Sequence, residues 1–391
     1  MSAHLHEWLS LAIRWFHVIA GIAWIGDSFY FMWLDASLRR KADTPEGVKG
    51  ESWSVHGGGF YRVIKFVNAP DEMPEKLHWF KWQAYTTWLT GFSLLAVVYW
   101  LQAKAWMVDA GGLTPGQGVG VGVATLVLGW YVYDLLCKSP LGKAPVALAF
   151  ALAGVLAGTA WGLGELLAPR AAYIHVGAMI GTWMAGNVAH VIIPNQRKIV
   201  ASLKAGETPD PALGAESKLR STHNNYLTLP VLFVMISNHY PSTYGHQHAW
   251  AVLVGLFAVG ALTRVFFNFK HAGRVLGWVL PAAAVAYVGL AFLTAPAPVE
   301  SMGEAVTWAE VEPIIATHCR SCHSANPTHA VFRTAPNGVM YDTPEQVANK
   351  APMIKLRAVD SATMPLGNET NMTAEERAKL GAWIAAGAPV K

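Results

Sequence analysis

The stretch IIATHCRSCHSANP, residues 314–327, carries Cys319-Arg320-Ser321-Cys322-His323. This is the C-x-x-C-H pattern in which two cysteines tether a c-type haem and the histidine binds its iron. A haem held this way needs a small helical wrapping. Residues 298–391, polar and rich in Pro, Asn and Thr, are long enough to provide one. The residues before them have another character. Of the 391 residues in the chain 53% are hydrophobic, 17 are tryptophan and only 14% are charged, against about 25% charged in a soluble domain. The change of composition falls at TAPAPVES, 294–301, and divides the chain into 1–297 and 298–391.

Eight windows in the first part approach or exceed the roughly 20 apolar residues that cross a bilayer. They lie near 8–34, 82–103, 116–137, 143–167, 170–193, 221–240, 248–269 and 274–295. Runs of this length are helices, because an open sheet edge is not tolerated in lipid. The expected architecture is therefore all-α, an eight-helix membrane bundle followed by a class I-like cytochrome c domain. The first apolar run is too long for a cleavable signal and lacks a basic start, so it is expected to remain as the first span. Lys and Arg crowd connections 1–2, 3–4, 5–6 and 7–8, as in LRRKADTPEGVKGESW and PNQRKIVASLK. On the other side stand only Lys104 and Arg170. Basic connections stay in the cytoplasm. Both termini are thus expected on the outer, periplasmic side of a bacterial inner membrane, the side on which C-x-x-C-H haem is attached. The formal charge of +4 is spread over these loops and gives no nucleic-acid signature.

In the C-terminal part, VTWAEVEPIIATHCRSCH reads as an amphipathic helix that delivers Cys319, Cys322 and His323 to one place. The sixth iron ligand is expected from Met364, in the loop ahead of a terminal helix whose start carries a Thr373–Glu376 capping box. Trp383 and Ile384 are expected to pack back on the core. Met372 and Met353 compete for the ligand position, and each also suits core filling. Histidine with methionine raises the iron potential, which suits an electron carrier. Cys137, the third cysteine, reads as a small buried apolar side chain.

Ionisable groups inside spans mark function, and the orientation sorts them by depth. An outer group holds His17, His175 and His239. An inner group holds Asp27, His78, Asn187, His190, His223, Asn224, Asn225 and Arg264. His175 and His190 are about 22 Å apart along one helix at 1.5 Å per residue and fall on nearly the same face, a spacing that suits two stacked b-type haems. Membrane His and Asn also bridge helices by hydrogen bonds, and both readings stand at this point. FHVIAGIAWIGD echoes IHVGAMIGTWMAGN weakly, consistent with two tandem halves.

The segments RWFHVIAGIAWIGDSFYFMWLD, SVHGGGFYRVIKF, HWFKWQAYTTWLTGF, HVIIPNQRKIV and RSTHNNYLTLPVLFVMISNHY resemble the bacterial membrane-bound urate oxidase (urate hydroxylase) family over essentially the whole chain. The resemblance implies oxidation of urate to 5-hydroxyisourate. Electrons would leave through the cytochrome to a soluble cytochrome c or a terminal oxidase, without hydrogen peroxide. The first helix is also loosely similar to that of the membrane protoporphyrinogen oxidase family, where a histidine binds b-type haem, which points to His17. No catalytic residues carry over from the family. The residues themselves suggest that Arg264 holds the urate anion, that Asn187, Asn224 and Asn225 meet its amide edges, and that Asp27, His190 or His223 serves as base. Two rival readings are a transporter fused to a cytochrome, and a cytochrome c subunit of a respiratory complex.

Overall fold

The computed structural model describes residues 3–67, 70, 73–109, 111–295 and 306–390. Most of them are helical. Helix α1 spans Ala3–Ser37, and α2 spans Trp82–Leu94 and continues through a wide, π-type turn at Leu95–Trp100. Next come α3 (Pro115–Lys138), α4 (Pro145–Leu166) and α5 (Pro169–Gly186). A second π-type turn, Asn187–Ile192, carries α5 on into Ile193–Lys204. The bundle closes with α6 (Pro211–Ser237), α7 (Ala249–His271) and α8 (Val279–Leu293). Local chemistry sets the starts. Thr114 and Gln117 form a capping box at α3, and proline stands in the first turn of α3, α4, α5 and α6, where its missing N–H costs nothing.

Among the described residues five helical segments are long and apolar enough to cross a membrane: His4–Ser37, Pro115–Lys138, Pro145–Leu166, Pro169–Lys204 and Ala249–His271. The other three expected spans are helical but depart from that measure. The segment from Trp82 is broken by its π-type turn, and α8 has 15 residues. Helix α6 begins ten residues before the apolar window, because the Asp210 carboxylate caps it by accepting the Ala212 amide at 2.8 Å. Its first turns are therefore polar. Pro169–Lys204 is the axle: 67% of its apolar window is buried against 11–28% in the other four, and α5 packs on α2, α3, α4 and α6. Successive helices alternate in direction, so one end of the bundle gathers the C-termini of α1, α3 and α7.

The expected all-α class needs one correction at that end. Strands β1 (Val48–His56) and β2 (Gly59–Phe66) form an antiparallel hairpin in register from His56↔Gly59. Gly57 and Gly58 make its two-residue turn at φ +58 and +80, the positive values that a type I′ turn requires. A backbone bridge Arg39↔Glu51 fastens the hairpin to the end of α1. Glu51 takes Lys41 and Arg62 at 2.5 Å each, and Trp53 Nε1 at 3.3 Å. These partners, Lys41 foremost, hold its carboxyl down at about 2. A carboxylate depressed in the fold adds stability above its unfolded value of about 4.3 and loses it as the pH falls through the folded value. Trp53 emission should therefore stay constant down to about pH 4 and change between there and pH 2. A transition already complete at pH 5 would contradict the assignment.

Among the described residues two large apolar cores are present, besides a small cluster of Ala84, Val188 and Ile193. One joins α2 to α7 around Met179, Ile180, Trp183 and Leu253. The other gathers Val311, Ile315, Val347, Leu380 and Trp383 in the C-terminal part, between α9 (Trp308–His318) and α10 (Ala374–Ala385). The Thr373–Glu376 capping box is formed, and Ile384 packs beside the buried Trp383. The expected division at residues 297 and 298 lies outside the described residues.

Candidate functional site

At the hairpin end, the last turns of α1 and α7 enclose a cavity of about 530 Å³, with Arg39, Lys49, Lys218, Asn268 and His271 on its wall. Its acid, Asp35, is engaged by Lys65, so the wall is basic on balance. Arg264, Asn268 and His271 come from one face of α7, at the i, i+4 and i+7 spacing that aligns side chains on a helix. Asn268 joins the cavity to two buried groups. Its Nδ2 donates to Asn225 Oδ1 at 2.8 Å, and its Oδ1 accepts from Arg264 at 3.2 Å. The Arg264 guanidinium also lies 4.2 Å over the Phe29 ring.

Some buried polar atoms have no partner. Arg264 Nε, Asn225 Nδ2 and His271 Nδ1 are buried with no hydrogen-bond partner, as is Asp27 Oδ2 on α1. Buried polar atoms rarely stay unpaired without a reason. Two unpaired N–H donors beneath a basic opening suit an anion with carbonyl oxygens.

Asn224 and Asn225 were expected in one group, yet the structure separates them. Neighbours on a helix point about 100° apart. Asn225 turns toward α7 and Asn224 toward α5, where its Nδ2 donates to the Met184 carbonyl at 3.0 Å. There it joins a second buried cluster. Asn187 Nδ2 donates to Asn224 Oδ1 and to the Tyr133 hydroxyl, both at 2.8 Å, and Tyr133 donates to His223 Nδ1 at 2.8 Å. Arg220, fully buried, donates to Asn187 at 3.3 Å and to Asp134 at 2.5 Å. Cys137 is buried beside His223. Sequence reading missed Tyr133, Asp134 and Arg220. Arg220 Nε alone of the Arg220, Asn187 and Asn224 side-chain nitrogens named here is buried without a partner, and the paired groups lock α3, α5 and α6 together. Asp134→Ala leaves a buried guanidinium without its counter-ion, at a cost of about 3 kcal/mol, whereas Lys138→Ala removes only an exposed partner of the same carboxylate. Thermal unfolding in detergent should separate the two variants, and equal melting points would refute the distinction.

The sequence offers four histidines as possible membrane haem ligands, His17, His175, His190 and His239, and their side chains have separate surroundings. His175 is fully buried, donates from Nδ1 to the Ala171 carbonyl at 2.8 Å and accepts Trp100 Nε1 at Nε2, 3.1 Å. Gly122 leaves room for this ring, since a Cβ there would lie 2.6 Å from Nε2. His175 thus has no nitrogen to offer iron. His17 donates from Nδ1 to the Thr87 carbonyl at 3.1 Å. His190 and His239 are exposed. The expected shared face of His175 and His190 fails because the π-type turn at Asn187–Ile192 takes more residues per revolution and turns His190 outward onto Trp130, 5.7 Å away. These residues do not fit a b-type haem between them. What His175 does join is a run of ring contacts, Trp88–Phe92–Trp100–His175–Tyr99–Trp106, with centroids 5.3–6.4 Å apart. It leads from the middle of the bundle to its other end.

At that other end sits the C-x-x-C-H segment, where α9 ends at His318 and Cys319 follows as its cap. Cys319 and Cys322 are free thiols. Burial pushes the Cys319 thiol up to about 12 and raises Cys322 as well. His323 Nδ1 donates to the Val339 carbonyl at 3.0 Å, which fixes the ring and leaves Nε2 as the free base. Burial lowers its pKa and so favours the neutral, ligating form. Met364 lines a second cavity, Met372 is buried in the core and Met353 is exposed. The chemistry of these donors fits a covalent haem, which Cys319 and Cys322 would tether and whose iron His323 and Met364 would bind. Among the described residues no three His, Cys, Asp or Glu side chains converge on one point; a porphyrin supplies four of the iron's six ligands, so the fit does not depend on such a group.

Comparison with curated proteins and with solved structures gives no match. Comparison with family models gives one for most of the chain. Residues 3–295, from the first described turn of α1 to the end of α8, match the model described as urate oxidase N-terminal, and the chain belongs to that family.

Proposed function

We propose that the chain is an integral membrane oxidoreductase of a bacterial inner membrane. It oxidises urate to 5-hydroxyisourate in an eight-helix domain, residues 1–297, and releases electrons through a c-type haem on a periplasmic cytochrome domain, residues 298–391. The carrying observation is the pair of unpartnered donors, Arg264 Nε and Asn225 Nδ2, under the basic cavity at the hairpin end. Membership of the urate oxidase N-terminal family supports the substrate. The basic loops gathered at the hairpin end support a cytoplasmic position for that cavity.

Urate at neutral pH is a planar monoanion. Arg39, Lys49 and Lys218 draw it in by field, and Arg264 with Asn225 hold two of its oxygens. Phe29 keeps the guanidinium plane fixed. The reaction takes the monoanion and one water to neutral 5-hydroxyisourate, one proton and two electrons. His271, with Nδ1 unpartnered and its ring on the cavity wall, is placed to take the proton from the attacking water. A c-type haem, when bound, takes up electrons singly and yields them to a soluble cytochrome c or terminal oxidase. The ring contacts from Trp88 to Trp106 bring closely spaced aromatic groups toward the Met364 side. The proposal includes no b-type haem, because His175 uses both of its nitrogens within the protein.

Purified protein should reduce an added soluble cytochrome c with urate and not with xanthine, forming no hydrogen peroxide. Peroxide in proportion to urate consumed would mean that oxygen takes the electrons directly and would exclude the proposal. A transporter carrying a cytochrome would instead move urate into vesicles without any acceptor being reduced.

A further inference from the structure

The second cavity, about 410 Å³, has walls from two parts of the chain: Trp106, Asp109 and Arg170 from the bundle, and Arg357, Met364 and Arg377 from the C-terminal part. Three guanidinium groups around one small space repel one another unless an anion lies among them. Arg377 is spent on the carbonyls of Ala358 and Met364 and on Asn368. Arg170 gives Nε to Asn238 at 3.0 Å and lies 4.8 Å over the Trp106 ring. The Arg357 guanidinium makes no hydrogen bond or ion pair among the described residues; its carbonyl accepts from the Met364 amide at 3.0 Å. Asp109, the acid on the wall, pairs with none of them, and burial raises its pKa. The surrounding seam is closely tied. Lys104 meets Glu369 at 3.2 Å, Trp106 meets the edge of Phe332 at 6.2 Å, and Gly367 lies so near the Val108 carbonyl that a Cβ would come within 3.0 Å. A closed seam around unpaired positive charge is the arrangement of a ligand site.

We propose that this cavity is a two-sided oxyanion site, in which Arg357 and Arg170 grip one carboxylate between them and so fasten the C-terminal part to the bundle. The planar fork of arginine matches a carboxylate edge. A propionate of the haem tethered at Cys319 and Cys322 supplies that group, an assignment that rests on the function proposed above. A carboxylate from solution has the same chemistry. Through this grip, a residue of the bundle sets the potential of the haem it feeds.

The test uses the full-length holoprotein with Arg170→Gln, Arg357→Gln and Arg170→Lys. Haem midpoint potentials are measured without and with added acetate, alongside the yield of carbodiimide cross-linking between Lys104 and Glu369. Withdrawing a positive charge favours the ferric form, so both glutamine variants should lower the midpoint and reduce the cross-link several-fold, while Arg170→Lys keeps most of both. A loss that appears only with acetate keeps the site and assigns its anion to solution. If the pyridine spectrum reveals no covalent haem, the haem reading fails, and acetate-dependent cross-linking in the unaltered protein alone then supports the site. An unchanged midpoint and cross-link in both glutamine variants overturns it.

Discussion

Arg264→Ala should lower urate-driven electron release by roughly thirty- to several hundred-fold while leaving the haem spectrum and the melting temperature close to those of the unaltered protein. The range follows from the interaction removed. Truncating one member of a buried, hydrogen-bonded charge pair costs about 2–4 kcal/mol, and each 1.4 kcal/mol is about tenfold. Arg264 is buried, yet among the described residues its side chain donates one hydrogen bond, to Asn268. The fold therefore loses little when the side chain is shortened. Bound urate loses the counter-charge and the free Nε donor together. Arg264→Lys keeps the charge without the fork, so its turnover should fall between the two. Turnover of Arg264→Ala equal to the unaltered protein would remove the α7 face from the substrate site.

The larger effect is expected from Cys319→Ser combined with Cys322→Ser. Both thioether bonds are then impossible, and haem staining of the denatured polypeptide should vanish. Urate-dependent reduction of a soluble acceptor should fall to background. His323 and Met364 remain, so a trace of haem held by ligation alone would wash out on dilution. The control is Cys137→Ser, which touches the Tyr133–His223 cluster at the far end and should leave haem staining intact. Persistent urate turnover in the double variant would detach the C-terminal part from the reaction.

Apolar length made the bundle legible, and the Thr373–Glu376 capping box made the start of α10 legible. The hairpin was legible and passed over: HGGG between alternating residues is a turn signal, but it sat among spans read only for length. The site was legible in its residue types and not in its grouping. Asn224 and Asn225 share a dipeptide and serve different clusters, because adjacent side chains leave a helix in different directions. Arg220 looked like one more basic loop residue, since its helix starts at Pro211, well before any apolar window. His190 was lost to the π-type turn, a local unwinding without a fixed residue signature. Asn268 and His271 did leave a signal, at four and seven residues from Arg264.

Anaerobic mixing of the purified protein with urate, followed in the visible spectrum, tests the central claim most directly, because no other acceptor is present. Reduction of the protein's own c-type haem by urate, with xanthine and hypoxanthine inert, is the predicted result. A haem that dithionite reduces and urate leaves oxidised would contradict the account.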